Sequence, residues 1–193
     1  MRTTITALLL AAALPAWAQP APGLWETDWK MRVNGQDLGA LMKRAMDEAL
    51  QGMPPAQRAQ AEQMMKAQGA GFGGKSQDCV TPEASARMAD PKQLLAEMQK
   101  DSPQCRYEPL KTSGGTIAFE GRCSDPEGFT GDITGEFRLD GAKAWTGQWG
   151  GQGRMPAAEG MPGLTLGADG RVEFRATGSG RWLAAACGAV KPR

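Results

Sequence analysis

Gly69-Ala70-Gly71-Phe72-Gly73-Gly74-Lys75-Ser76 matches G-x-x-x-x-G-K-S letter for letter, the spacing with which a P-loop cradles phosphates. That chemistry needs a buried strand before the loop and a helix after it, so that free N–H groups and the helix dipole meet the anion. Here a helical pattern precedes the glycines, and Gln77-Asp78-Cys79-Val80 reads as extended. Residues 69–74 are therefore expected to be a flexible glycine-rich connector, with no nucleotide as cofactor. Methionine is the next residue type with chemistry to offer. Met42 and Met46 lie four apart on one helical face, with Met53, Met64 and Met65 close behind. Thioethers are soft ligands suited to Cu(I), and they also fill irregular cores and adaptable grooves. With no histidine and no free cysteine to complete a site, packing is the expected use and copper binding the alternative. The absence of histidine also excludes Ser-His-Asp and Cys-His nucleophile systems. Asp125, Glu127 and Asp132 cluster near a turn, where acids more often meet water or backbone than substrate. No nucleophile–base constellation appears, so no catalytic residue is assigned, and an envelope hydrolase stays only as a further alternative.

The tryptophans are more informative. Trp25, Trp29, Trp145, Trp149 and Trp182 all fall on the apolar sides of alternating segments. Rings so placed usually build a core, but some can line an apolar pocket between a sheet and its covering helices. Gly147, between Trp145 and Trp149, is expected to leave a gap between two rings. The expected apolar ligand surface is Trp25, Trp29, Met42, Met46, Trp145 and Trp149.

These residues need a rigid frame, and the cysteines indicate one. Cys79, Cys105, Cys123 and Cys187 make an even number, which in an exported chain reads as two disulfides with three possible pairings. Residues 105–112 and 116–123 flank Ser113-Gly114-Gly115, a good three-residue hairpin loop. In that register Cys105 faces Cys123, and Tyr107, Phe119 and Ile117 share their side. Arg106 then falls opposite Arg122 and Glu108 opposite Glu120, which is unfavourable unless diagonal neighbours compensate. Cys79–Cys187 follows by elimination.

Export itself is read from the first 18 residues. Arg2 is followed by the apolar stretch Ile5–Leu14, then Pro15 and the small-x-small site Ala16-Trp17-Ala18, so cleavage is expected after Ala18. The stretch spans only about half of a ~30 Å hydrocarbon core, and nothing later in the chain is long and apolar enough to do better. The protein is thus expected in the periplasm, without a membrane span after cleavage. Without Arg2 the charge balance is 21 basic to 21 acidic residues, which argues against nucleic acid as a partner. Residues 19–193 are the size of one domain. Glycine and proline total 39 of 193 residues, well above the usual ~12%, as a turn-rich β protein requires.

Residues 25–33 alternate strictly and predict a half-buried strand. The period then becomes helical, from Leu38 through Leu50 behind the N-cap Asp37, and Pro54-Pro55 opens a second helix to about Gln68. This helical hairpin, about 38–68, reads as an insertion into a β protein. A short extended segment surrounds Cys79, and Asp90-Pro91 starts a third, short helix. From residue 104 the pattern is β, with turns at Asp125–Gly128, Asp140-Gly141 and Asp169-Gly170, and an irregular loop over 151–163. The expected fold is α+β: an antiparallel β-meander of about six strands, curved or partly closed, with the helices over one side or one opening.

Pro22-Gly23-Leu24-Trp25-Glu26 behind a leader, Cys79-Val80-Thr81-Pro82, Cys105, the Ser113-Gly114-Gly115-Thr116 turn, Cys123 and a terminal Cys187 form a recognisable set. The set resembles the domain of unknown function 3617 family of exported bacterial proteins, over most of the chain after the leader. The resemblance implies a small envelope protein and carries no activity, cofactor or catalytic residue with it. It also implies that the hairpin at 38–68 is longer than the family's usual first connection. The reading that best joins these observations is a non-enzymatic module for a hydrophobic small molecule or an envelope-protein segment, of unknown oligomeric state.

Overall fold

The computed structural model describes residues 19–68, 74–156 and 163–192, the side chains of 62–68 excepted. The expected leader 1–18, residues 69–73 of the expected glycine-rich loop, residues 157–162 of the expected loop over 151–163, and the Met64 and Met65 side chains lie outside the described residues.

Strand β1 (Gly23–Val33) is the predicted alternating strand, and after the tight Asn34-Gly35 turn two residues, β2 (Gln36–Asp37), fold back on it. Asn34 and Gly35 both have positive φ (48° and 77°), a turn conformation that asparagine and glycine tolerate best. Helix α1 (Leu38–Gln51) starts where Asp37 accepts the N–H of Ala40 at 2.9 Å, and α2 (Pro55–Gln68) follows. Strand β3 (Gly74–Val80) runs antiparallel to Gly23–Trp29 of β1. The remaining elements are α3 (Pro82–Met88), α4 (Pro91–Asp101), β4 (Cys105–Ser113), β5 (Thr116–Ser124), β6 (Thr130–Asp140), β7 (Ala144–Arg154) and β8 (Arg171–Ala184).

The strand order is β2-β1-β8-β7-β6-β5-β4, with β3 also beside β1, and every strand pair is antiparallel. The meander of consecutive hairpins is present from β4 to β8. Three expectations need correction. Among the described residues the sheet has eight strands rather than about six, because the segment around Cys79 is a full strand and β2 adds a short one. It is neither curled nor partly closed: β4 ends one edge, while β2 and β3 share the other. Pro109 removes a backbone donor from β4, and the register shifts between Pro109 and Lys111; both features blunt an edge against further pairing. Finally, four α-helices are present among the described residues, since Thr81-Pro82 opens α3, with the Thr81 hydroxyl accepting the Ala84 N–H at 3.1 Å.

One face of the sheet is built from rings lying across glycines on the neighbouring strand. Trp29 lies across Gly178, Trp145 across Gly180, Phe137 across Gly147 and Phe119 across Gly135. Phe174 covers Gly151 and Phe129 covers Gly153 in the same way. This corrects two further expectations. Gly147 leaves no gap, because Phe137 from β6 fills it. Residues 151–154 are strand rather than loop: their glycines lack an apolar signature of their own because rings from Phe129 and Phe174 supply it. A β-carbon at Gly180 would collide with the Trp145 indole, so Gly180→Ala is expected to cost about 1–3 kcal/mol by overpacking. Urea denaturation checks this, and an unchanged midpoint would show that the indole can move aside.

Helices cover this face unevenly. Leu95 of α4 packs with Cys105, Phe119, Cys123 and Ile133 at one side. Leu38 of α1 packs with Val33 and Val172 at the other, and Leu38 is the buried residue of α1. Two disulfides tie the frame, Cys105–Cys123 across the β4–β5 hairpin and Cys79–Cys187 between β3 and the segment after β8.

Candidate functional site

Rings from five strands form a continuous row across the sheet. Tyr107 meets Phe119 edge-on at 5.9 Å, Phe119 stacks on Phe137 at 5.9 Å, Phe137 meets Trp145 at 6.5 Å, and Trp145 meets Trp29 at 5.3 Å. Trp29 also closes onto Phe137 at 6.4 Å. A second group joins Trp149 to Phe174 at 5.3 Å and Phe174 to Phe129 at 5.3 Å. Phe119 is sealed at 1% exposure. Trp29, Phe137, Trp145 and Trp149 remain half-buried, with part of each side chain still open to solvent.

The six residues expected to form the ligand surface separate in space. Trp29 and Trp145 meet, and Trp149 lies further along β7 in the second ring group. Trp25 is 2% exposed and gives its indole N–H to the Ala21 carbonyl at 2.8 Å, so it is core and offers no face to a ligand. Met42 packs on the Val33–Leu38–Val172 cluster, and Met46, one turn later on α1, is exposed. Trp182 donates to the Pro22 carbonyl at 3.0 Å and lies under the Lys143 ammonium, 4.4 Å from the ring centre.

Two parts of this surface escaped the sequence. Phe137 links the tryptophans, and its alternation with Ile133 and Leu139 marked its face but not its neighbours. A polar group also sits on the same face beside Trp29: Thr27, almost buried, shares a 2.7 Å hydrogen bond with Ser76 and donates to Asp78 at 3.2 Å. Ser76 is the last letter of the P-loop match, and it lies in a strand rather than at the start of a helix.

The opposite face is polar. Glu26 accepts from Arg181 at 2.9 Å and lies 3.7 Å from Lys75, and the hydrogen bond from Arg181 holds its carboxyl below the ordinary glutamate range. Arg122, which faces Arg106 across the β4–β5 hairpin, is answered on its other side by Asp132, directly opposite it on β6, at 2.8 Å. Asp125 is a turn residue, accepting the Glu127 N–H at 3.0 Å. Asp125, Glu127 and Asp132 thus do not converge on one point, and among the described residues no group of three or more acidic or cysteine side chains could hold a metal ion. No helix of the described residues is long and apolar enough to cross a membrane.

Neither the curated proteins nor the solved structures include a match to this chain. The family model described as protein of unknown function (DUF3617) matches residues 20–187, from the segment leading into β1 to the second cysteine of the Cys79–Cys187 bridge, and the chain belongs to that family.

Proposed function

We propose that the protein is exported to the periplasm and acts there as a non-enzymatic binding module, taking a hydrophobic small molecule or an apolar partner segment on the rings of Trp29, Phe137 and Trp145. The observation that carries this reading is that three large rings meet within 6.5 Å on the inner sheet face, yet each stays partly open. The surface is stiff, because glycine-backed rings cannot sink further into the sheet and two disulfides hold its strands. The helical hairpin is held mainly at its start, where Leu38, the buried residue of α1, packs on Val33 and Val172. The adjacent Thr27–Ser76–Asp78 group gives the apolar surface one polar end.

Native mass spectrometry of periplasmic protein, against the same sample denatured, tests occupancy. An organic mass that leaves on denaturation is the expected result. In parallel, Trp145→Ala is expected to weaken saturable binding of an apolar fluorescent probe by about tenfold or more, since burying one such ring is worth about 1.5–3 kcal/mol. A bare chain together with no saturable probe binding would sink the proposal. An added copper mass, lost in the Met42→Leu, Met46→Leu double variant, would replace it with a thioether site.

A further inference from the structure

The residues that directly follow the Ala16-Trp17-Ala18 site are anchored from the first one onward. Gln19 Nε2 donates to Ser85 Oγ at 3.0 Å, and the Ser85 hydroxyl donates to the Pro20 carbonyl. The Ala21 N–H bonds the Ala142 carbonyl at 2.6 Å, its own carbonyl accepts from Trp25, and the Pro22 carbonyl accepts from Trp182. Ser85, on α3, is completely buried.

A glutamine at a free N-terminus carries its own electrophile. The α-amine attacks the side-chain Cδ, a new N–C bond closes a five-membered lactam, and the Cδ–Nε2 bond breaks. The proton given up by the amine leaves on Nε2 as part of ammonia, so no oxidant or co-reactant is required. Ring closure requires the side chain to fold back over its own main chain. In the folded protein the Nε2 of that carboxamide is held by Ser85 Oγ, which restrains the side chain.

We propose that Gln19 is a site of pyroglutamate formation gated by Ser85: the lactam closes in the chain before it folds and is held off once α3 has docked. This rests on export with cleavage after Ala18. Closure removes the α-amino charge and also the Nε2 donor, so a chain that cyclises first docks without the bond to Ser85.

The test follows loss of one ammonia by intact mass, with the N-terminal peptide identified after digestion. The samples are mature wild type in buffer, the same protein in concentrated urea, the Ser85→Ala variant, and a synthetic peptide of residues 19–24. The folded wild type is expected to cyclise at least about fivefold more slowly than the peptide, the factor one ordinary hydrogen bond supplies. The urea sample and the variant are expected to approach the peptide. Equal rates in folded wild type and peptide would overturn the gate. If Ser85→Ala does not fold, the comparison of buffer with urea decides alone. An N-terminal peptide starting at any residue but Gln19 would overturn the cleavage and the proposal with it, and is told apart by its sequence.

Discussion

Replacing Cys79 and Cys187 together by serine is expected to lower stability by about 4–5 kcal/mol, against about 3 kcal/mol for the Cys105, Cys123 pair. The difference comes from chain entropy. The first bridge closes a loop of sequence separation 108 and the second one of 18, so the first removes far more freedom from the unfolded chain. Position adds to length. Cys79–Cys187 holds the edge strand β3 to the chain end beyond β8, where Cys79 also bridges to Pro192. The Cys105–Cys123 bridge joins two strands already paired along their whole length. Urea midpoints of the two double variants, measured with the remaining disulfide intact, decide the matter. If the short-loop variant proves the weaker, loop entropy is not what the bridges contribute.

Phe119→Ala is expected to cost about 3–5 kcal/mol, the range for emptying an aromatic site in a core. Phe119 is 1% exposed, touches Tyr107 on one side and Phe137 on the other, and lies across Gly135. Its loss would also cut the ring row between Tyr107 and Phe137 and free Phe137 on one side, so Trp29 and Trp145, which Phe137 touches, should show altered fluorescence without being changed themselves. A double-mutant cycle sharpens the prediction. Gly135→Ala places a β-carbon against the Phe119 ring in the wild type, and in the Phe119→Ala background that collision is gone. The second substitution should therefore cost less in the variant than in the wild type. Strict additivity would mean that ring and glycine do not depend on each other.

Much of the frame was legible because it is local. Asp37 and Asp90 each accept an N–H from the turn they precede. The alternation of residues 25–33 follows from the two-residue period of a strand lying between core and water. Even the Cys105–Cys123 pairing is local information, since a short turn propagates its register along both strands. Its limit is also local. Ser113 pairs with Thr116 around Gly114-Gly115, and a one-residue shift at Leu110 restores the register in which Cys105 meets Cys123. A bulge of this kind has no strong residue signature.

The ring surface is a different case. The composition and the alternation determined by themselves that Trp29, Trp145 and Trp149 would sit on one side of their strands. Only the tertiary structure decided that β8 returns to pair with β1, bringing Gly178 and Gly180 under Trp29 and Trp145, and that β6 sets Phe137 into the place Gly147 vacates. A glycine opposite a ring contributes no hydrophobic signal of its own, so β7 beyond Gly150 read as loop while it was in fact backed by Phe174 and Phe129. Likewise, that Trp25 is sealed while Trp29 and Trp145 stay partly open depends on contacts between residues far apart in the chain. Periodicity reports the face a side chain takes; only the partner across the sheet, and the helix above it, settle what that face meets.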